Sequence, residues 1–109
     1  MIVVDPAAAA TAAMSRNPSR PASAVVHDAP GARLVVFRIE PGQEVAPHTS
    51  ASTVVLTVVS GRGTVSGGGE ERTVEPGAVI TYAPNELHGM RAEDERFCVL
   101  AIIAPRPGG

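Results

Sequence analysis

Three histidines are the side chains of this chain best suited to chemistry near neutral pH, because imidazole alone has an unperturbed pKa in that range. They are His27, His48 and His88. His48 follows a Pro-Gly turn in PGQEVAPHTS, and His88 closes a second such segment, PGAVITYAPNELHG. These matching settings single out His48 and His88 as the candidate functional histidines. His27 has no comparable setting and is interpreted as a structural residue.

The composition excludes several other kinds of catalysis. All nine basic residues are arginine, so Schiff-base and lysine general-base mechanisms are impossible. The single cysteine, Cys98, lies in the apolar run FCVLAII, which predicts a buried, inert thiol and a reducing compartment. The glycines at 67–69 lack the Lys-Ser or Lys-Thr of a phosphate loop and are typical of a hairpin tip. No Ser-His-Asp arrangement or carboxylate pair can be assembled.

Short strands must position the two histidines. After residue 24 the apolar residues are mostly β-branched, and Gly or Pro pairs separate the runs. The predicted strands span 24–27, 33–40, 44–48, 52–60, 62–67, 70–75, 78–83, 87–92 and 96–104. Their even spacing favours a sandwich or barrel over a parallel α/β sheet. The body of the chain is therefore predicted to be all-β.

The first part of the chain has a different composition. Residues 5–24 are rich in Ala, Pro, Ser and Arg, without a periodic apolar face. Alanine favours a short helix from Ala7 to Met14, and the prolines that follow favour extended chain. Because 109 residues suffice for one core, we predict a partly flexible N-terminal arm over 1–23 and a single barrel domain over 24–109.

The strand predicted at 52–60 is apolar on both faces. One face carries Val54, Leu56 and Val58, and the other carries Thr53, Val55, Thr57 and Val59. A strand covered on both sides is expected where one side lines a barrel and the other meets a second sheet or a subunit. This pattern predicts a homodimer. The alternative is a small domain that exposes Val and Thr on its outer face.

Charge and hydropathy limit the partners. A net charge of -2 provides no basic surplus for nucleic acid or an anionic membrane surface. The N-terminal run MIVVDPAAAATAAM lacks a basic start and is broken by Asp5 and Pro6, so it does not fit a secretory signal. No window reaches the roughly 18 apolar residues of a membrane helix. The prediction is a soluble, cytoplasmic protein that binds neither nucleic acid nor membrane.

Glycine and histidine spacing around the two histidines follows two patterns. The first comprises Gly42, five residues, His48, and then Ser50, Val54 and Gly61. The second comprises Gly77, five residues, Ala83, Pro84, Asn85, two residues, His88 and Ala92. In spacing, these segments resemble the two motifs of the cupin superfamily of small β-barrels, although several residue identities differ.

The resemblance extends over about residues 24–104 and implies a fold. That fold is the all-β, cupin-type double-stranded β-helix, a jelly-roll barrel, here with an N-terminal extended arm. The short segment between Gly61 and Gly77 is similar to that of small single-domain bacterial cupins.

The resemblance also implies a metal site that is degenerate in this chain. Metal-binding cupins hold a divalent ion with two histidines and a glutamate of the first motif and one histidine of the second. Those positions are His48, Ser50, Val54 and His88 here, so two imidazoles remain and the carboxylate is replaced by an aliphatic side chain. Any divalent ion, Zn, Fe, Mn or Ni, would be held by His48 and His88.

Three functions remain open from the sequence. The first is a cupin that binds a small molecule in its barrel. The second is a metal-dependent enzyme, similar to cupin dioxygenases or isomerases, with the ion at His48 and His88. The third is a filled barrel that assembles with a partner chain. The expected pocket residues are His48, Ser50, Val54, Leu56, Tyr82, His88 and Met90.

Overall fold

The computed structural model describes residues 1–107 as one short helix and nine strands. The helix, α1, spans Pro6–Ala12. The strands are β1 (Ala22–Ala29), β2 (Ala32–Ile39), β3 (Glu44–His48), β4 (Thr53–Ser60), β5 (Gly63–Gly67), β6 (Glu70–Val74), β7 (Val79–Tyr82), β8 (His88–Ala92) and β9 (Phe97–Ala104). The predicted all-β class is confirmed.

The strands form two antiparallel sheets that face each other as a jelly-roll barrel. The five-stranded sheet has the order β1-β2-β9-β4-β7, and the four-stranded sheet has the order β3-β8-β5-β6. Strands distant in sequence are therefore neighbours, as β3 and β8 are in the second sheet. This crossover brings the two histidine segments together.

The core lies between the two sheets. Its most deeply buried side chains are Phe97, Ile39 and Val99. Val36 is equally buried, but it alternates with Phe37 and Ile39 and lies on the other face of its sheet, the face covered by helix α1. Strand β4 alternates as the sequence predicts: Val54, Leu56 and Val58 are buried in this core, and their neighbours along the strand are exposed or half-buried. Burial of this apolar set is the main favourable contribution to folding.

Helix α1 lies on the five-stranded sheet and ends before Met14, the predicted last residue. Asp5 caps its start, accepting a hydrogen bond from Ala8 N at 3.1 Å. At its end, Nη1 of Arg38 on β2 donates to the carbonyls of Ala10, Thr11 and Ala13 at 2.7 to 2.9 Å. A side chain distant in sequence thus satisfies the carbonyls that a helix end leaves unpaired.

After the helix, Met14 forms an isolated bridge with Ser23, and β1 begins at Ala22, two residues before the predicted strand. No helix in residues 1–107 has the length and hydropathy needed to cross a membrane.

Candidate functional site

Strands β3 and β8 position the two histidines of the motifs. In the register of this pair, His48 lies directly opposite His88. An irregularity between Val45 and His48 shifts the pairing, at a point where Pro47 supplies no backbone N–H. The ring centroids of His48 and His88 lie 4.3 Å apart, with the planes tilted by 57°. The expectation that they share one cavity thus agrees with their placement.

Each imidazole ring is held in place by a hydrogen bond from its Nδ1 atom to a backbone carbonyl. Nδ1 of His48 lies 2.9 Å from the carbonyl oxygen of Ala46, and Nδ1 of His88 lies 2.9 Å from that of Glu86. A carbonyl only accepts, so Nδ1 must carry the proton in each ring. In the neutral form Nε2 is then left as an acceptor with a free electron pair.

Tyr82 supports His88 from behind. Its ring stacks on the His88 ring, with centroids 4.8 Å apart and a 29° angle between planes. Its hydroxyl donates to the carbonyl of Ser66 at 2.8 Å, and burial raises the pKa of this hydroxyl, with a smaller contribution from the Glu86 carboxylate. Tyr82 was expected in the pocket lining; it lies instead beneath His88 with its polar atom already bonded.

The cavity in front of the histidines has a volume of about 70 Å³. Six of the seven expected pocket residues line it, namely His48, Ser50, Val54, Leu56, His88 and Met90. The lining also includes residues that the sequence did not indicate: Phe37, Val45, Gly89, Ala101 and Ile103. The space is enclosed mainly by apolar side chains and is large enough for only a few atoms.

His48 and His88 differ in exposure. His88 is buried, at 7% relative exposure, whereas His48 is exposed at the mouth of the cavity. No acidic or basic side chain other than these imidazoles lines the cavity in the described part of the chain. The nearby Glu86 is turned to the backbone, where its Oε1 accepts from Ala83 N at 3.0 Å. The polar end of the cavity therefore has two imidazole nitrogens and the Ser50 hydroxyl.

These donors do not fit the divalent ion that the fold family implies. Within residues 1–107 no group of three or more His, Cys, Asp and Glu side chains converges. Val54, at the carboxylate position, is buried at 4% exposure. Sites for zinc or iron usually supply at least three protein ligands, often including an anion. A divalent ion here would have two imidazoles and no charge to neutralise it.

A larger cleft of about 630 Å³ lies on the outer face of the four-stranded sheet, and its central charges, around Arg91, are paired with one another. Arg91 donates to both carboxylate oxygens of Glu71 at 2.9 Å and to Glu93 at 2.8 Å. Thr64 donates to the same Glu93 oxygen at 2.7 Å. The hydrogen bond with Arg91 lowers the pKa of Glu71. Since these bonds already occupy Arg91, Glu71 and Glu93, we take the histidine cavity as the stronger candidate site.

Comparison with known proteins gives one family match. The model of the cupin domain matches residues 35–103, which is more than half of the chain and includes both histidines. No curated protein matches the chain.

Solved structures share the fold over nearly the whole chain. The TT1209 protein of Thermus thermophilus is 26% identical, with a TM-score of 0.86 and coverage of 98% of this chain and 100% of that one. An uncharacterised conserved protein with a double-stranded β-helix domain from Klebsiella pneumoniae is 25% identical, with a TM-score of 0.81 and coverage of 92% and 90%. KdgF from a Halomonas species is 23% identical, with a TM-score of 0.78 and coverage of 86% and 87%.

Proposed function

The chain belongs to the cupin family, and from that premise we propose that it binds a small molecule in its barrel, with His48 and His88 lining the pocket. The observation that carries this proposal is the common orientation of the two imidazoles. Each holds Nδ1 against a backbone carbonyl and so presents Nε2 as an acceptor. The ligand accordingly has a polar end that donates hydrogen bonds.

The rest of the cavity is apolar, so the part of the ligand next to its polar end should be apolar as well. Val54, Leu56 and Ile103 are among the side chains that surround the imidazoles. A volume of about 70 Å³ accepts a head group and a few carbon atoms. Anything longer extends through the mouth, where the exposed His48 lies. The character of this lining, apolar with a few placed polar groups, is typical of small-molecule sites.

A matched series of short alcohols, amides and carboxylates of equal chain length tests this proposal. Binding is measured by NMR titration at pH 8 in the presence of a metal chelator, so that no metal ion occupies the imidazoles. Alcohols and amides should bind, and His88→Ala should weaken their binding about tenfold, the effect of one buried hydrogen bond. Carboxylates offer no donor to the two Nε2 atoms and should bind at least tenfold more weakly than the alcohols and amides.

His27→Ala is the matched control for this experiment, because it removes the one histidine outside the cavity. It should leave the affinities unchanged. Equal binding of all three ligand classes, or an affinity that His88→Ala leaves unchanged, would contradict the assignment of the pocket.

The second candidate is a metal-dependent cupin enzyme, dioxygenase- or isomerase-like, with Zn, Fe, Mn or Ni at His48 and His88. The specific observation in its favour is again the Nδ1 bond to a carbonyl, which is the usual second contact of a metal-ligating histidine. Metal analysis of protein purified without a histidine tag tests it. Near-stoichiometric Zn, Fe, Mn or Ni that is lost in His48→Ala and in His88→Ala would favour this candidate over the first, and oxygen-consumption and isomerase assays would then test for activity.

We also propose an oligomeric state and a cellular location for the protein. We infer a homodimer from the outer face of β4, where Val55, Thr57 and Val59 are only half-buried. A cytoplasmic location agrees with the buried, unpaired thiol of Cys98.

A further inference from the structure

We propose, building on the pocket assigned above, that its donor set selects a soft monovalent metal ion, Cu(I), bound by Nε2 of His48, Nε2 of His88 and the thioether sulfur of Met90. Copper(I) would be the ion that this degenerate cupin site accepts in place of a divalent one. The inference comes from the disagreement between the residues present and the ion expected for the family.

The donors themselves are soft or intermediate. Two imidazoles offer Nε2, and Met90, two residues after His88 on the same face of β8, lines the same cavity. Thioether sulfur is a poor ligand for Mg, Mn and other hard ions, but it is a good ligand for Cu(I). A set of two histidines and one methionine thus differs in chemistry from two histidines alone.

Charge favours a monovalent ion. The cavity has no carboxylate, because Val54 stands at that position, and its remaining walls are apolar. The cost of placing an ion in such surroundings rises with the square of its charge, and no anion is present to offset it. A divalent ion is therefore penalised far more than Cu(I).

The geometry suits a small occupant. The volume of about 70 Å³ holds an ion with one or two waters. The imidazole centroids, 4.3 Å apart, are close enough for one ion with metal–nitrogen distances of about 2 Å to reach both rings. His88 is held by its stacking on Tyr82 and by its Nδ1 contact with Glu86, whereas the exposed His48 is held by its Nδ1 contact with Ala46.

Other soft donors lie away from this cavity. Cys98 is buried, but it alternates with the core residues Phe97 and Val99 and so points to the opposite face of β9. Met14 is 84% exposed beyond helix α1. Both can be replaced without touching the pocket, and they provide matched controls for the thiol and for methionine content.

The test is an anaerobic titration of metal-free, untagged protein with Cu(I) in competition with the colorimetric chelator bicinchoninate. The wild-type protein should take up one equivalent. His88→Ala should abolish uptake, and Met90→Leu, which conserves side-chain volume, should lower the affinity about tenfold or more. Cys98→Ala and Met14→Leu should match the wild type.

A reciprocal variant tests the charge argument. Val54→Glu restores a carboxylate beside the imidazoles and should raise the affinity for Zn(II) at least tenfold over that of the wild type. Wild-type protein that binds Zn(II) as tightly as Cu(I) would overturn the inference, and so would uptake that Met90→Leu leaves unchanged or Cys98→Ala removes. If His88→Ala or Met90→Leu fails to fold, the wild-type protein is used instead. The NMR signal of the Met90 methyl group should then shift when one equivalent of Cu(I) is added, and an unshifted signal would exclude Met90 as a ligand.

This experiment is independent of the ligand titration in chelator. Organic ligands that bind in the absence of Cu(I) uptake would leave the proposed function standing and remove the copper site. Uptake of Cu(I) by a protein that binds none of the organic ligands would establish the copper site and remove the proposed function.

Discussion

At the scale of single residues, the site depends on a short column of rings. Gly67 lies behind Tyr82, Tyr82 stacks on His88, and His88 lies 4.3 Å from His48. The hydroxyl of Tyr82 is bonded to Ser66, so its role is to fix the imidazole plane. The polar atoms left for a ligand are the two Nε2 atoms and the Ser50 hydroxyl.

Gly67→Ala tests this column. A Cβ at position 67 would lie 2.6 Å from Cε1 of Tyr82, so the ring must move and carry His88 with it. Overpacking of this kind destabilises a protein by about 1 to 3 kcal/mol, which chemical denaturation measures. Gly31→Ala is the control, because nothing lies within 4 Å of a Cβ there. Equal stabilities of the two variants would contradict the packing described.

At the scale of secondary structure, strand pairing decides which side chains meet. Motif spacing sufficed to place His48 and His88 together and to assign Val54 to the pocket, and alternation along β4 then placed Leu56 on the same face as Val54. These signals are local and depend on a period of two residues. They therefore predict the inward residues of the strands in which they occur, but not those of the neighbouring strands.

The remaining lining residues required the register between strands. Phe37, Ala101 and Ile103 lie on β2 and β9, which are apolar on both faces, so alternation gives no inward side. Tyr82 pairs with Val54, and this pairing turns its ring into the core. A four-residue strand such as β7 does not specify that register by itself. The end of α1 depends on Arg38, a contact outside any local pattern.

Arg38→Met should release the C-terminal end of α1. The guanidinium donates to three helix carbonyls, two of them in partly buried bonds, and methionine retains the length of the side chain without the donors. The expected loss is about 1 to 3 kcal/mol of stability, with faster hydrogen exchange at the Ala9 and Ala13 amides. The outcome that contradicts this account is unchanged protection of both amides.

The ion pairs of Glu40 with Arg96 and Arg38 should make the stability of the fold fall at acid pH. The hydrogen bond from Arg96 to Glu40, at 2.9 Å, lowers the pKa of that carboxyl, with Arg38 adding to the effect and partial burial opposing it. A carboxyl whose folded-state pKa is depressed contributes stability above its unfolded value and loses it as the pH falls through the folded value. Glu40→Gln should therefore flatten the fall in melting temperature below about pH 4.5. An identical pH profile in Glu40→Gln and wild type would exclude this contribution.

At the scale of the whole molecule, the two sheets have different environments. The four-stranded sheet carries a self-paired ionic network on its outer face, around Arg91. The outer face of the five-stranded sheet is covered by α1 near Arg38, while Val55 and Ile102, opposite each other on β4 and β9, are left half-buried. Only the second of these faces is suited to an apolar contact between subunits.

We expect sedimentation velocity to give twice the chain mass of 11.2 kDa. Val55→Glu places a charge on the proposed contact and should shift the protein to a monomer without unfolding it. A wild-type monomer at high concentration, or a dimer unaffected by Val55→Glu, would remove this face as the interface.

The most direct test of the account is long-range nitrogen NMR of the imidazoles at pH 8. Both His48 and His88 should show a protonated Nδ1 and a bare Nε2, and the Nε2 signals should shift when a hydrogen-bond-donating ligand is added. A proton on Nε2 of both rings would contradict the orientation on which the pocket's function depends.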